Sequence, residues 1–456
     1  MSTRRQELGR ALWRLADRVQ VDERSRSFRA KAYRRAVWSL DDLSPHLDDP
    51  PAQVLGTPGI GPGVLKLIEE FRSEGRLEAL DRLSDRYPEA VAKMRRLPRM
   101  TAAILRSLKQ ELGVDEVSDL LAVIESGGVE TLRGVGLPTA ERWREILELT
   151  PKPSSVPSFQ ATGLADALGR HLERHVGGEV WVAGSVRRLD EWVDELDLVL
   201  AAGDPDNARE LVSGTAVAHQ VQAFDPGPIR MTFHNGLAAR IHLAQPSDLG
   251  RRLLIATGPP EHVRVVIGQR DEPASTEAEV YVCGGLDFIA APARELPLDV
   301  ATHVIQIPDL RGDLHVHTDW SPDGRMSLEV VLAEVVAMGY DYVLITDHTK
   351  GLRFGGLDEE RLSLQRQSID AVRDRFPDLT VLHGAELNVD RTGELDIGDD
   401  ALALLDLAVV GLHSNFDLDR AEQTSRVLTV LEHPAVRILA HPTGRRIGIR
   451  PAIDLD

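Results

Sequence analysis

The sequence predicts a multidomain chain, all-α in front and α/β behind, on three observations. Apolar residues recur three and four apart through the first 150 residues, then give way to short apolar runs mixed with helical stretches. Linker-like segments at 150–158, rich in Pro and Ser, and at 290–309, rich in Ala and Pro, divide the chain into three parts. Beyond 310, strand and helix alternate as in a βα barrel, and one apolar run after another ends on histidine or glutamate. At 456 residues the chain is too long for one ordinary domain, and its 42% hydrophobic content is ample for packed cores.

The front reads as helices at 5–20, 27–40, 63–72, 76–86, 101–111, 116–125 and 139–148. Two glycine turns precede helices, Gly59-Ile60-Gly61-Pro62-Gly63 and Gly134-Val135-Gly136. Such turns bring backbone N–H groups at a helix N-terminus close to phosphate oxygens. They could equally do no more than join packed helices; two copies beside a basic helix favour DNA. Leu97–Thr101 sits where a third turn would fall and has lost both glycines. The formal charge of −19 argues against nucleic acid only for the chain as a whole. Residues 1–150 carry a net +1 and residues 1–36 a net +7, whereas 151–307 carry −8 and 308–456 carry −12. The front is therefore the phosphate-facing part.

No apolar stretch is long enough for a membrane span, and the N-terminus lacks a signal peptide's apolar core. One cysteine excludes an internal disulfide and fits a reducing cytoplasm. Cys283 lies in the apolar run Glu279–Gly284 and is expected to be buried and inert.

The middle part predicts a helix at 161–175, strands near 179–183, 195–201, 229–234 and 237–243, and a helix near 247–255. Gly184-Ser185 follows the first strand, with Arg187 and Arg188 behind it. Glu195 and Asp197 open the second strand two residues apart, on one face. Paired acids in that arrangement suit two-metal phosphoryl transfer.

In the last part, His315-Val316-His317 places two imidazoles on one face of a strand, where they can share metal ions. Asp323 follows in a loop, and His348, Glu386, His413 and His441 each sit at the close of a later apolar run. One strand-end histidine is usually just a satisfied polar residue. Seven such residues in order point to a polynuclear metal site.

This last segment resembles the PHP (polymerase and histidinol phosphatase) domains, which are distorted barrels binding up to three metals. Their pattern of HxH, an aspartate, TDH, GxE, a strand-end histidine and an HP-flanked histidine is matched by His315, His317, Asp323, His348, Glu386, His413 and His441. The middle is similar to the nucleotidyltransferase palm. With Ser27–Ala36, the glycine turns (which resemble helix-hairpin-helix motifs) and Ile307–His315, the order along the chain resembles the bacterial family X DNA polymerases. The resemblance implies helical DNA-binding domains at 1–80 and 81–150, a palm at 158–245, a thumb at 246–305 and a PHP domain at 308–456. It implies Mn²⁺ or Zn²⁺ at the PHP site, there to activate water against a phosphodiester in 3′-to-5′ exonuclease or related phosphoesterase action. It also implies triphosphate contacts at Gly184, Ser185 and Arg188, and sequence-independent DNA contacts at Gly59, Gly61, Gly63, Gly134 and Gly136 on gapped or recessed duplex.

The departures from that pattern set further expectations. Glu195 and Asp197 stand where the family has two aspartates, and Arg240 falls where it has a third acid. A cation there opposes Mg²⁺, by about 4 kcal/mol for like charges a few ångströms apart at an effective dielectric of 20. The palm is therefore expected to be degenerate. The family's Schiff-base lysine position falls on Leu67, with Lys66 pointing elsewhere, so lyase activity is not expected. The family's closing D-x-H motif has no counterpart before Asp456. That predicts an incomplete barrel with seven of nine ligands, which a partner chain could complete. The alternatives left open are a non-catalytic DNA-binding scaffold and a residual gap-filling polymerase.

Overall fold

In the computed structural model the described residues are all except 1–2, 23–27, 88–93, 95–96, 98, 150–154, 225–226, 235, 298–299, 301–304, 306 and 353. Ser27, Pro98, the first half of the 150–158 linker and much of the end of the 290–309 linker lie outside them. The chain divides into two compact units, Met1–Val304 and Ile305–Asp456. No described helix is long and apolar enough to cross a membrane.

In the first unit, the helices Arg4–Asp22, Phe28–Ser39, Pro62–Glu74, Glu78–Arg86, Ala102–Leu112, Val117–Glu125 and Leu137–Leu149 follow the predicted periodicity to within a few residues. Pro51–Gly56 is an added short helix, which its pair of prolines concealed from a periodicity search. One apolar cluster runs from Leu8 to Trp143 and also takes in Ala216. Ile60 and Val135, the residues between the turn glycines, are buried in it. Gly59 (φ +92°) and Gly134 (φ +89°) adopt the left-handed geometry these turns require.

Behind the helical part stands a five-stranded sheet of β2 (Glu179–Ala183), β4 (Glu195–Ala201), β7 (Ala238–Ala244), β6 (Ile229–Phe233) and β5 (Ala218–Ala223), in that order. Two short strands, β1 (Val156–Pro157) and β3 (Trp192–Val193), pair separately. β4 is parallel to β7 and antiparallel to β2, and it is buried almost throughout. Leu196, Leu198 and Leu200 on one face meet helix Ser158–Val176. Val199, on the face of Asp197, meets helix Leu249–Thr257. The helical front is fastened to this sheet by buried Asp41, which accepts hydrogen bonds from His171 Nε2 (2.8 Å) and Ala216 N (2.8 Å) and pairs with Arg5 (3.2 Å).

Cys283 corrects the sequence reading. The run around it is the helix Glu277–Gly284, which turns Glu277, Val280 and Tyr281 inward and leaves Cys283 exposed. An apolar run read without its helical period hides which side faces out.

The second unit is a parallel sheet of five strands in chain order, β8 (Gly312–Val316), β9 (Tyr342–Ile345), β10 (Thr380–Asn388), β11 (Leu407–Gly411) and β12 (Val436–Leu439). Helices Leu328–Ala337, Glu359–Arg373 and Arg420–Leu431 supply three of the crossovers, and short Asp399–Leu402 lies in the fourth. Among the described residues β8 and β12 are the sheet's edges. The sheet still curls enough to bring the rings of His315 and His441, from its two edges, to 5.8 Å between centroids.

Candidate metal centre

All seven residues singled out in the last part of the sequence converge at the C-terminal ends of these strands. Glu386, on β10 and 1% exposed, is the hub. Its Oε1 lies 3.1 Å from His413 Nε2 and 2.6 Å from His441 Nε2. Its Oε2 lies 3.2 Å from His315 Nε2, 3.4 Å from His317 Nε2 and 3.2 Å from His348 Nδ1. Asp323 joins through His348 Nε2 at 3.0 Å. Strand pleating explains the pair on β8, since residues two apart share a face. The parallel ladder explains the rest, because register carries each strand's exit to the same level.

Two triads have donor atoms within 4.8 Å of one another, His315–Glu386–His441 and His317–His348–Glu386. His315 Nε2 and His317 Nε2 face each other at 3.2 Å, so a proton or a cation must lie between their lone pairs. His317 Nδ1 is buried without a hydrogen-bond partner. Imidazole nitrogens around a carboxylate fit divalent manganese or zinc by donor chemistry.

Burial alone would raise the Glu386 pKa, but hydrogen bonds from His315, His413 and His441 hold the carboxyl well below the usual range. The same contact raises His441, while burial pushes His317 down. His441 also sits at φ +29°, a conformation costing on the order of 1–3 kcal/mol that its surroundings must sustain.

A supporting layer surrounds this cluster. Fully buried Asp347 accepts hydrogen bonds from Thr318 N (2.9 Å), Thr318 Oγ1 (2.6 Å), Ser321 Oγ (2.6 Å) and Gln365 Nε2 (2.7 Å), fixing the loop between His317 and Asp323. Asn388 Oδ1 accepts from His413 Nδ1 at 2.8 Å, so that when the ring is neutral its lone pair is on Nε2, the atom facing Glu386. Asp396 accepts from Thr349 Oγ1 (2.7 Å) and Asn388 Nδ2 (3.0 Å). Any side chain at Gly411 would strike Glu386 and the His413 ring. Asp347 was visible inside the Thr-Asp-His triplet; Asn388, Asp396 and Gly411 carried no comparable signal.

The paired acids of the first unit meet a different neighbour. In the β4–β7 ladder Asp197 is the register partner of Arg240. Arg240 Nε donates to Asp197 Oδ1 (2.7 Å) and Nη2 to Oδ2 (2.8 Å), and Nε lies 3.0 Å from Glu195 Oε2. His242 Nε2 adds a contact to Asp197 at 3.0 Å. Gly184 (φ +60°) packs directly on the Asp197 side chain, beside Ser185. Arg188 pairs with Asp190 (2.6 Å) and Glu295 (3.3 Å), and Arg187 is held by Glu277. In the turns, Gly61 and Gly63 have open space where a side chain would start, as does Gly134, and Gly136 meets only Pro138.

Comparison with known proteins matches these features to a family. The PHP domain model matches residues 313–433, which hold six of the seven clustered residues and leave out His441. The chain is 30% identical, over 94% of its length and 80% of the relative's, to the DNA polymerase/3′-5′ exonuclease PolX of Bacillus subtilis (strain 168). A probable phosphatase of Syntrophotalea carbinolica is 26% identical over 28% of this chain and 53% of its own length. A probable phosphatase of Caldicellulosiruptor bescii is 28% identical over 29% of this chain and 55% of its own. With a near full-length relative spanning both units and the domain match falling on the histidine cluster, the chain belongs to the PolX family, the family X DNA polymerases that carry a PHP domain.

Proposed function

We propose that this protein is a DNA-repair nuclease whose chemistry resides in the C-terminal centre. There it would act as a metal-dependent phosphodiesterase, removing nucleotides 3′ to 5′ from gapped or recessed duplex in the cytoplasm. The observation that carries this reading is the convergence of five imidazoles on one buried carboxylate, Glu386, with Asp323 alongside. His315, Glu386 and His441 would hold one ion and His317, His348 and Glu386 another, with Asp323 and His413 completing the set. Bound manganese or zinc supplies a Lewis acid for the phosphoryl oxygens and acidifies a water. The protein's own part is positional. Glu386 stays anionic between the two triads. Asn388 fixes the tautomer of His413, and Asp347 anchors the loop that carries Asp323.

DNA would be held by the front. The turns at Gly59, Gly61, Gly63 and at Gly134, Gly136 expose backbone at helix starts, and the aliphatic stem of Arg35 lies against Gly59. The palm, on this reading, no longer polymerises. Both oxygens of Asp197 are engaged by a guanidinium that cannot lose its proton, so the donor set does not fit Mg²⁺. Gly184, Ser185 and Arg188 then serve nucleotide contact at most, since Arg188 is already paired.

The same Arg240 contact favours the second reading, a DNA-binding scaffold without catalysis. The test is a 5′-labelled, one-nucleotide-gapped duplex incubated with Mn²⁺, with and without dNTPs. Shortening of the labelled primer that His315→Ala abolishes is the expected result. An unchanged primer in every lane would leave the scaffold. Extension that depends on dNTPs and Asp197 would overturn the reading of the palm.

A further inference from the structure

Of the seven clustered residues Asp323 is the most exposed, its side chain 65% open to solvent. It stands on the loop that follows β8 and reaches the cluster through His348 Nε2 at 3.0 Å. Neither triad includes it. Strand pleating therefore does not place this carboxylate, and the loop that carries it must be held by other means.

Helix Glu359–Arg373 holds it, from outside the ligand pattern. Gln365 Nε2 donates to Asp347, which in turn accepts from Thr318 and Ser321. One turn earlier, on the same face of the helix, stands Arg361. Its Nη2 donates to Trp320 O, and its Nη1 donates to Gly355 O (3.0 Å) and Gly356 O (3.2 Å). Its guanidinium also lies 6.0 Å from the centroid of the Trp320 ring.

One guanidinium thus ties the loop bearing Asp323 to the loop that follows His348. All three acceptors are main-chain carbonyls, so the grip is on backbone position. The second loop is itself fixed to His348. Leu357 N donates to His348 O (2.7 Å), and Thr349 and Leu357 form a β-bridge. Any side chain at Gly356 would strike Thr349 O, and one at Gly355 would meet Pro322, the residue before Asp323. The first loop takes its place from the second.

Only a guanidinium suits this post. Its N–H donors form a rigid flat fork that can span several carbonyls, whereas an ammonium is a point charge on a flexible stem. Its charge works in the opposite direction, since a fixed cation beside these loops repels an incoming metal ion.

We infer that Arg361 is a positioning residue that locks the two loops into one unit and so holds Asp323 at the metal centre. This rests on the metal-centre reading proposed above and adds the part that places its most exposed ligand.

The test is a double-mutant cycle on the full chain, with Mn²⁺ affinity read by isothermal titration for wild type, Arg361→Lys, Asp323→Ala and the pair. Arg361→Lys keeps the charge and removes the fork. It should weaken binding about ten-fold, the low end for a lost supporting contact. In the Asp323→Ala background it should change affinity by less than about two-fold, because the carboxylate it places is already gone. A full loss in that background would mean that Arg361 supports the centre in general, and unchanged binding in Arg361→Lys alone would mean that the fork holds nothing. Either overturns the clamp. Arg361→Met, which removes the charge too, should weaken binding as lysine does; tighter binding would show that charge outweighs position and would also overturn it. If wild type binds neither Mn²⁺ nor Zn²⁺, the metal-centre reading fails instead. The clamp is then judged in the metal-free protein by acrylamide quenching of Trp320, separated from the other five tryptophans by subtracting the Trp320→Phe variant. Arg361→Lys must increase that quenching for the clamp to stand.

Discussion

Asp197 on β4 and Glu386 on β10 are both almost fully buried carboxylates on strands that belong to parallel ladders, at 4% and 1% exposure. They differ in what neutralises them. Asp197 faces a bidentate guanidinium one strand away, whereas Glu386 faces five imidazoles from four other strand ends. Imidazole can give up its proton near neutrality and offer a lone pair; guanidinium cannot. A carboxylate ringed by histidine therefore faces groups that can yield to an ion, and one clamped by arginine faces a cation that cannot; on the reading proposed above, Asp197 serves the fold.

The largest effect that would break this contrast lies at the hub. Glu386→Gln should weaken Mn²⁺ binding by more than about 100-fold, beyond the 10–100-fold typical of losing a supporting contact, as read by isothermal titration. A smaller loss would mean that the imidazoles hold the ions without their shared carboxylate. Arg240→Ala comes next. It leaves Asp197 buried with only His242 and should destabilise the first unit by about 1–3 kcal/mol, reduced from the cost of a fully buried pair because Arg240 is about a third exposed. Urea denaturation measures it, and an unchanged midpoint would show the pair to be no anchor.

The smallest effect is proton linkage at His441. Its raised pKa means that the protonated, Glu386-paired form stabilises the metal-free protein at low pH, and that contribution fades as pH rises through the folded value. An incoming cation must displace that proton. Mn²⁺ affinity should therefore rise with pH as that proton is lost, over a range lying above that of an ordinary imidazole, and a flat profile would exclude His441 as a ligand.

Legibility in the sequence followed physical distinctness. Strands β2 and β4 emerged with their observed bounds because each is a compact apolar run between turn residues. β5, Ala218–Ala223, passed unnoticed because it is an edge strand with mostly exposed polar residues, and so shows no alternation. Helices Pro205–Ser213 and Pro260–Ile267 were overlooked where a proline at the start reads as a loop. The clustered histidines were legible because five strand exits repeat one chemistry. Their supports were not: Asn388 and Asp396 act through hydrogen bonds that local sequence does not encode, and Gly411 matters only for what packs against it. That Arg240 stands beside the paired acids was legible from the family pattern, but its bidentate clasp on Asp197 needed the strand register.

Ala216 belongs to the sheet-bearing part of the first unit, yet it is buried in the core of the helical front, next to the Asp41 contacts. Gly9, on the first helix, is so close to Ala216 that even a methyl group there would collide with its carbonyl. The two parts thus share interior, and neither can be cut away without opening the other. Every acid on that sheet could be exchanged and its strands would still be needed, because the segment leading into β5 closes the core of the helical front.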